Sequence, residues 1–120
     1  QIIPIALDEE LIQLSLSGKR QVVKTINPQY IILKPSLIGG IQSAEKWIQL
    51  AAACNIQWWA TSALESNIGL NAIAQWVATT GNKLVQGLGT GTLYTNNVSS
   101  PLYIHKANLY YNKILNWGNI

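Results

Sequence analysis

The sequence has few charged residues. Asp, Glu, Lys and Arg make up 11% of its 120 residues, whereas 48% are hydrophobic, and an ordinary soluble domain carries roughly 25% charged residues. A chain of this length forms at most one domain with a modest core, so its large surface should be polar if it stood alone. The sequence also contains no methionine. We therefore expect a C-terminal fragment of a larger protein, with faces that pack against the rest of it.

Three further absences narrow the class of protein. A single cysteine, Cys54, excludes a disulfide framework and favours a reducing, cytoplasmic location. No apolar run approaches the roughly 20 residues of a membrane helix, which predicts no membrane partner. The eight basic residues outnumber the five acidic ones, but they are scattered along the chain. No patch is dense enough to predict binding to nucleic acid.

Short apolar runs alternate with segments of helical periodicity, the pattern of successive βα units around a parallel sheet. These runs predict four strands, at residues 2–7, 30–33, 56–60 and 84–88. Between them, the spacing of apolar residues predicts a helix over 41–53 and a later helix that ends at Gly81. The polar stretch over 9–25 predicts two short helices divided near Ser17 and Gly18.

Open doubly wound sheets and closed (β/α) barrels share this pattern of units. Each of the four predicted strands ends in a polar or glycine-rich group, whereas an open sheet concentrates such groups at its switch point. Four βα units are also about half of an eight-stranded barrel. We therefore predict an α/β fold in which residues 1–91 form a partial (β/α) barrel and residues 92–120 form a covering segment.

The first two predicted strands end in opposite charges. Asp8 follows the first strand, with Glu9 directly after it, and Lys34 follows the second. A carboxylate at such a strand end can bind a hard divalent cation, and an amine buried near a metal has its pKa lowered and can exchange protons. Two structural interpretations stay open, because Asp8 can cap the following helix and Lys34 can extend to water.

The ends of the third and fourth predicted strands are polar and glycine-rich. Ser62 and Glu65 can hydrogen-bond a substrate, or the same cluster can cap the next helix. Gly87, followed by Gly89 and Gly91, allows a ligand to approach the backbone closely, or it forms a plain turn. Neither pair of interpretations is decided by the residues alone.

Four stretches of the chain, in this order, resemble a known family. They are Pro4 to Glu9, Lys34 to Gly40, Ser62 to Leu70 and Gly87 to Gly91. Together they resemble the C-terminal part of the o-succinylbenzoate synthase family, in the muconate-lactonizing-like subgroup of the enolase superfamily. The resemblance implies a modified (β/α) barrel under a capping domain to which residues 92–120 contribute. The remainder of the barrel and the capping domain are then the protein partners of this chain.

The resemblance also implies a magnesium site and a pair of lysines. In the family, three carboxylates bind Mg²⁺, and the last of them matches Asp8, while the other two lie upstream. One lysine of the family is also upstream, and the second, on the opposite face of the substrate, matches Lys34. The family thereby implies that Asp8 binds the metal and that Lys34 stabilises the enediolate formed from the substrate.

Further roles follow from the resemblance, residue by residue. Thr61 and Ser62 match the strand-end positions that touch the substrate, and Gly87 matches a glycine whose backbone meets the succinyl tail. Glu9 and Glu65 match positions in the supporting shell. This sequence has Thr61 and Ala63 where relatives often carry serine, and Gly89 where they often carry aspartate, so the substrate contacts are the part of the resemblance that differs most.

The implied reaction is the dehydration of a small carboxylate, 2-succinyl-6-hydroxy-2,4-cyclohexadiene-1-carboxylate, to o-succinylbenzoate in menaquinone biosynthesis. Within the superfamily, opposed lysines and a metal also serve N-acylamino acid racemases and dipeptide epimerases. A third interpretation is an inert half-barrel or an interaction fragment. We expect the isolated chain to be inactive, because the resemblance places two metal ligands and one lysine outside it.

Overall fold

The computed structural model describes residues 3–119 and contains a parallel sheet with helices between its strands. In chain order the elements are β1 (Ala6–Leu7), a 3-10 helix (Glu9–Leu11), α1 (Leu16–Ile26), β2 (Tyr30–Leu33), α2 (Gly40–Ala53), β3 (Gln57–Ala60), α3 (Asn67–Thr80), β4 (Leu102–His105) and β5 (Asn108–Tyr111). The strands β1, β2 and β3 pair in parallel in that order, while β4 and β5 form a separate antiparallel hairpin. The repeated βα units confirm the predicted α/β fold.

Alternate residues of the sheet face the helices. Ile31 and Leu33 of β2 are fully buried, whereas Tyr30 and Ile32 are half-buried. The register places Ile31 beside Trp58 and Leu33 beside Ala60, so the buried positions of neighbouring strands share one face. Because side chains alternate along a strand, Tyr30 and Ile32 lie on the opposite face.

Helix α2 supplies the centre of the core. Its apolar residues Ala44, Trp47 and Ala51 recur at spacings of three and four and are buried, as the periodicity of the sequence predicts. Lys19 of α1 lies over the Trp47 ring, with its ammonium nitrogen 5.0 Å from the ring centroid and 2.8 Å from Ser43 Oγ. Burial, with a smaller contribution from Lys46, lowers the pKa of Lys19. A cation–π contact therefore joins α1 to α2.

The predicted boundaries are wrong in the first part of the chain. Regular pairing of the first strand covers only Ala6–Leu7, and Ile2, the predicted start, lies outside the described residues. The predicted break near Ser17 and Gly18 falls inside α1. The reason is the N-cap residue Ser15, whose Oγ accepts a hydrogen bond from the Gly18 amide at 3.2 Å and starts the helix before the glycine.

The predicted fourth strand, at residues 84–88, is not a regular strand. It is reduced to a single parallel bridge between Thr61 and Gly87. The side chain of Gln86 explains the loss, because its Oε1 accepts a hydrogen bond from the Ala60 amide at 2.8 Å. The Ala60 amide therefore binds a side-chain oxygen, whereas in a continued strand it would bind a backbone carbonyl.

The end of α3 agrees with the sequence prediction. Gly81 ends α3 in the left-handed conformation with φ of 70°, which confirms the predicted C-cap. Within residues 3–119, no helix has the length and hydropathy that a membrane crossing requires. The hairpin of β4 and β5 was not predicted by the sequence pattern, and the division of the chain at residues 91 and 92 stays a prediction.

The hairpin turn explains why the sequence pattern misses it. Lys106 and Ala107 connect β4 to β5 with φ of 47° and 61°, both in the left-handed region of a two-residue turn. Such turns are normally signalled by Asn-Gly, because residues with a Cβ, apart from Asn and Asp, avoid this region. The hairpin therefore forms with a strained turn that lacks the usual sequence signal.

Replacing Ala107 by glycine should relieve this strain. We expect Ala107→Gly to raise the local opening free energy of the hairpin amides by about 1 kcal/mol, measured by hydrogen exchange. The matched control is Ala72→Gly, at an exposed position inside α3, where glycine should lower the stability of the helix by about 0.5–1 kcal/mol. Equal destabilisation by both substitutions would contradict the strained turn.

Candidate functional site

The predicted site residues follow the carboxyl ends of neighbouring strands. Asp8 comes directly after β1, Lys34 after β2 and Thr61 after β3. Parallel strands end at the same edge of a sheet, so these residues converge there. The Thr61 amide also donates to the Leu33 carbonyl at 3.0 Å, which holds the end of β3 beside the end of β2.

The ammonium group of Lys34 is bound by two carboxylates. Its Nζ lies 2.8 Å from Asp8 Oδ2 and 2.9 Å from Glu9 Oε1. The Lys34 side chain is 18% exposed and the Glu9 side chain 69%, so the pair with Asp8 is the better shielded one. The sequence predicts the convergence of Lys34 and Asp8 but not their direct ion pair, nor the part of Glu9 in it.

The pKa of Lys34 moves in the direction opposite to that predicted. Hydrogen bonds to Asp8, and then to Glu9, raise the pKa of Lys34 and outweigh the smaller lowering by burial. The same contact lowers the pKa of Glu9, chiefly through the hydrogen bond from Lys34. The prediction of a lowered lysine pKa is therefore wrong for this arrangement, because two anions contact the amine directly.

The carboxylate of Asp8 does not cap the 3-10 helix. Asp8 stands at the N-cap position, yet its side chain makes no capping hydrogen bond. Its Oδ2 accepts from Lys34, and its Oδ1 is buried without a hydrogen-bond partner among the described residues. A buried carboxylate oxygen that lacks a donor fits a hard divalent cation.

The described residues do not form a complete metal site around Asp8. Residues 3–119 contain no group of three His, Cys, Asp or Glu side chains arranged to hold a metal ion. Asp8 therefore fits Mg²⁺ as one ligand of a set. That the other two carboxylates come from upstream of this chain stays a prediction. A single carboxylate does not hold Mg²⁺ tightly.

Hydroxyl groups connect the carboxyl end of β3 to the stretch around the bridge at Gly87. Thr61 Oγ1 donates to the Gly87 carbonyl at 2.9 Å, and Ser62 Oγ lies 2.6 Å from Thr90 Oγ1. The Gly87 amide donates to the Ala60 carbonyl at 2.7 Å, and its carbonyl also accepts from the Ser62 amide at 3.0 Å. The backbone of Gly87 is thus engaged by the fold, and its contact with a substrate stays a prediction.

Glu65 braces the loop that follows Lys34. Its Oε1 accepts from Ser36 Oγ at 2.5 Å, and both carboxylate oxygens lie about 3 Å from the Ala63 amide, at 3.0 and 2.9 Å. Glu65 is thereby linked to the loop after Lys34 through Ser36, two residues beyond the lysine, and its supporting role stays a prediction. Ser36 and Thr90 are site residues that sequence reasoning did not single out, although each lies inside a quoted motif.

A cavity of about 740 Å³ lies away from this site. It is lined by Glu45 and Gln49 of α2, by Gln57 at the start of β3, and by Gly81 and Lys83 beyond α3. The start of β3 and the end of α3 mark the amino edge of the sheet, opposite to Asp8 and Lys34. Because it shares no residue with the strand-end cluster, this cavity is not part of the candidate site.

Comparison with known proteins agrees with the geometry. Residues 1–109 match the enolase C-terminal domain-like family, which covers most of the chain. The chain belongs to this family. It is 57% identical over 100 residues to the o-succinylbenzoate synthase of Desulfotalea psychrophila, covering 83% of this chain and 27% of that protein. The chain thus spans about a quarter of the length of this family member, and the resemblance drawn from its four sequence stretches is confirmed.

Solved structures show the same fold. The crystal structure of MenC from Desulfotalea psychrophila matches with a TM-score of 0.87 and 53% identity, over 91% of this chain and 31% of that one. The L-Ala-D/L-Glu epimerase from Bacillus subtilis matches with a TM-score of 0.75 and 20% identity, over 92% of this chain and 31% of that one. At 20% identity, the second match concerns the fold alone. Both confirm a part of an enolase-type barrel.

Gly87 should be required for the close bridge to Thr61. A Cβ added at Gly87 would overlap Thr61 Oγ1 and would lie 2.7 Å from Thr61 Cβ. We expect Gly87→Ala to lower the free energy of unfolding by about 1–3 kcal/mol, measured by urea denaturation. At Gly89 an added Cβ meets no described atom within 4 Å, so Gly89→Ala should change stability by less than about 0.5 kcal/mol. A harmless Gly87→Ala would show that the bridge is looser than the structure indicates.

Proposed function

We propose that this chain is the C-terminal part of a magnesium-dependent lyase of the o-succinylbenzoate synthase type. The full-length protein would dehydrate 2-succinyl-6-hydroxy-2,4-cyclohexadiene-1-carboxylate to o-succinylbenzoate, a step of menaquinone biosynthesis, in the cytoplasm. The observation that carries the proposal is the pairing of Lys34 with Asp8 at the carboxyl edge of the sheet. The 57% identity to a protein of this name supports it.

Lys34 is proposed to stabilise negative charge on the substrate. In the structure its ammonium group already donates to two carboxylates, at 2.8 and 2.9 Å, which shows that acceptors of this type fit around it. As the α-proton of the substrate is removed by the upstream lysine, charge moves onto the substrate carboxylate. A cation fixed near that charge lowers the barrier. Lys34 can do this by placing its ammonium beside the developing enediolate.

Asp8 is proposed to bind Mg²⁺ through Oδ1, the oxygen without a described partner. The ion would supply a Lewis acid that polarises the substrate carboxylate and makes the α-proton more acidic. The remaining ligands would come from the rest of the full-length protein. Glu9 is proposed to support the cluster, because its carboxylate accepts a second hydrogen bond from the Lys34 ammonium.

Thr61 and Ser62 are proposed to contact the substrate at the end of β3. Thr61 is half-buried and Ser62 is 6% exposed, so Thr61 is the more accessible of the two residues. Gly87 would contribute by letting the backbone after β3 approach closely. Glu65 would act indirectly, because its hydrogen bond with Ser36 fixes the loop after Lys34. The remainder of the barrel and a capping domain would enclose the small carboxylate substrate.

Racemisation of N-acylamino acids or epimerisation of dipeptides is the alternative within the superfamily. The similarity to the L-Ala-D/L-Glu epimerase, at 20% identity, supports the fold and not that activity. The 57% identical protein is named o-succinylbenzoate synthase, so formation of o-succinylbenzoate is the better supported reaction. Assaying the full-length protein on both kinds of substrate separates these alternatives, and no turnover of any of them would favour an inert fragment.

Removing the amine of Lys34 should abolish dehydration. In the full-length protein with Mg²⁺, we expect Lys34→Ala to lower kcat by about 10²–10⁴-fold. The rate is measured from the ultraviolet absorbance of the aromatic product. Circular dichroism should show a retained fold, because no buried core residue changes. Lys46→Ala, at an exposed position of α2, is the matched control and should keep the wild-type rate. A wild-type rate in Lys34→Ala would reduce Lys34 to a structural residue.

Removing one oxygen ligand at Asp8 should weaken metal binding. We expect Asp8→Asn to lower the affinity for Mg²⁺ at least about tenfold, because an amide oxygen carries no full charge. Titration calorimetry of the full-length protein measures this without any turnover. Glu45→Gln, an exposed acidic residue of α2, should leave the affinity unchanged. Equal Mg²⁺ affinity in Asp8→Asn and the wild type would remove Asp8 from the ligand set.

A further inference from the structure

The loop between β3 and α3 contains a residue in an unfavourable backbone conformation. Leu64 has φ of 63°, in the left-handed region that residues with a Cβ avoid and that glycine or asparagine normally occupies. The Leu64 side chain is 54% exposed, so its own burial does not compensate for the conformation. Such conformations persist only where the surrounding structure holds them.

A tyrosine from the last part of the chain holds this residue. The Tyr94 hydroxyl donates to the Leu64 carbonyl at 2.6 Å. On the other side of the residue, the Leu64 amide makes a longer contact of 3.4 Å with Ser62 Oγ. The short bond from Tyr94 is thus the stronger of the two contacts that fix the peptide groups of Leu64.

Residues 90–98, here called the clamp segment, bind the same loop at one further point and the first residue of α3 at two. Thr90 Oγ1 lies 2.6 Å from Ser62 Oγ, Asn97 Oδ1 accepts from the Asn67 amide at 3.0 Å, and the Asn67 side chain donates to the Val98 carbonyl. The bond from the Asn67 amide satisfies a backbone donor at the start of α3 that the helix itself leaves free.

The clamp segment is also fixed internally and against α3. Asn97 Nδ2 donates to the Gly91 carbonyl at 2.8 Å, which closes the segment on itself. A Cβ at Gly91 would lie 3.0 Å from Leu70 Cδ2, so the segment packs closely on the helix. Apart from the bond of Tyr94, four contacts therefore fix the clamp segment on the loop and on α3.

We propose that Tyr94 is a positioning residue for the candidate site. By holding Leu64 in the left-handed conformation, its hydroxyl fixes the loop over 61–66, in which Thr61 and Ser62 are the proposed substrate contacts and Glu65 braces the loop after Lys34. This proposal deepens the proposed function and rests on it for the identity of the substrate. The hydrogen bond and the loop conformation are independent of which carboxylate binds.

Hydrogen exchange tests the structural half of the proposal without any substrate. In the full-length protein, Tyr94→Phe should raise the exchange rates of the Ala63 and Leu64 amides about fivefold, the size expected for the loss of one ordinary hydrogen bond. Tyr103→Phe is the matched control. Tyr103 is similarly exposed, at 46% against 42%, and its hydroxyl has no hydrogen bond among the described residues. Unchanged exchange in Tyr94→Phe would overturn the proposal.

Steady-state kinetics test the functional half. Tyr94→Phe should raise KM for the dehydration substrate about fivefold while kcat changes less than twofold, because a loosened loop weakens binding without removing a charged group. In a Leu64→Gly background, where glycine adopts the left-handed conformation freely, the same substitution should change KM less than twofold. An equal KM effect in both backgrounds would show that Tyr94 does not act through Leu64.

The two measurements separate failure of this proposal from failure of the proposed function. If the wild-type protein shows no dehydration but Tyr94→Phe raises exchange in the loop, the proposed function fails and the positioning contact stands. If dehydration occurs and Tyr94→Phe alters neither exchange nor KM, the positioning role fails and the function stands. Raised exchange with an unchanged KM also rejects the role, because the loop would then be irrelevant to binding.

Discussion

The ion pair between Lys34 and Asp8 is the contact on which the arrangement of the candidate site depends. β1 pairs with β2 over only two residues, so its short backbone ladder is extended at the carboxyl end by this side-chain contact and by the contact of Lys34 with Glu9. A half-buried ion pair adds little net stability, because loss of hydration offsets the attraction. Its effect is on position, since it holds an amine and a carboxylate together at one edge of the sheet.

Similar side-chain pairs continue along the same edge. Ser36, after β2, bonds to Glu65, after β3, and Ser62 in turn contacts Thr90, beyond the bridge at Gly87. The first pair joins the ends of β2 and β3, and the second joins the end of β3 to the stretch after the bridge. The loops are therefore held by contacts with one another. Fixed loops of this kind lose less conformational freedom when a ligand binds than flexible ones do. The clamp segment adds a second layer that holds the loop after β3 from outside.

The sequence predicts best where local pattern decides the structure. The strand at Tyr30–Leu33 and the C-cap at Gly81 follow from an apolar run and a glycine, and both are as expected. The fourth strand does not form because the Gln86 side chain accepts the hydrogen bond of the Ala60 amide. The periodicity of the sequence does not reveal this contact. The hairpin lacked a glycine turn signal. The convergence of Asp8 and Lys34 could be predicted from the edge rule for parallel sheets, but the sign of the lysine pKa change depends on interatomic distances.

An apolar face of the sheet helps to explain the low charge content of the sequence. On the face opposite the helices, Tyr30 packs against Trp59 with ring centroids 5.6 Å apart, and both side chains are half-buried. Ile32 lies on the same face and is also half-buried. An apolar sheet face that water reaches is unfavourable in an isolated unit, whereas inward-facing residues of a small barrel are filled by side chains from the other strands. The half-buried apolar residues of this face are therefore among those that a closed enolase-type barrel would bury, and they account for part of the low charge content.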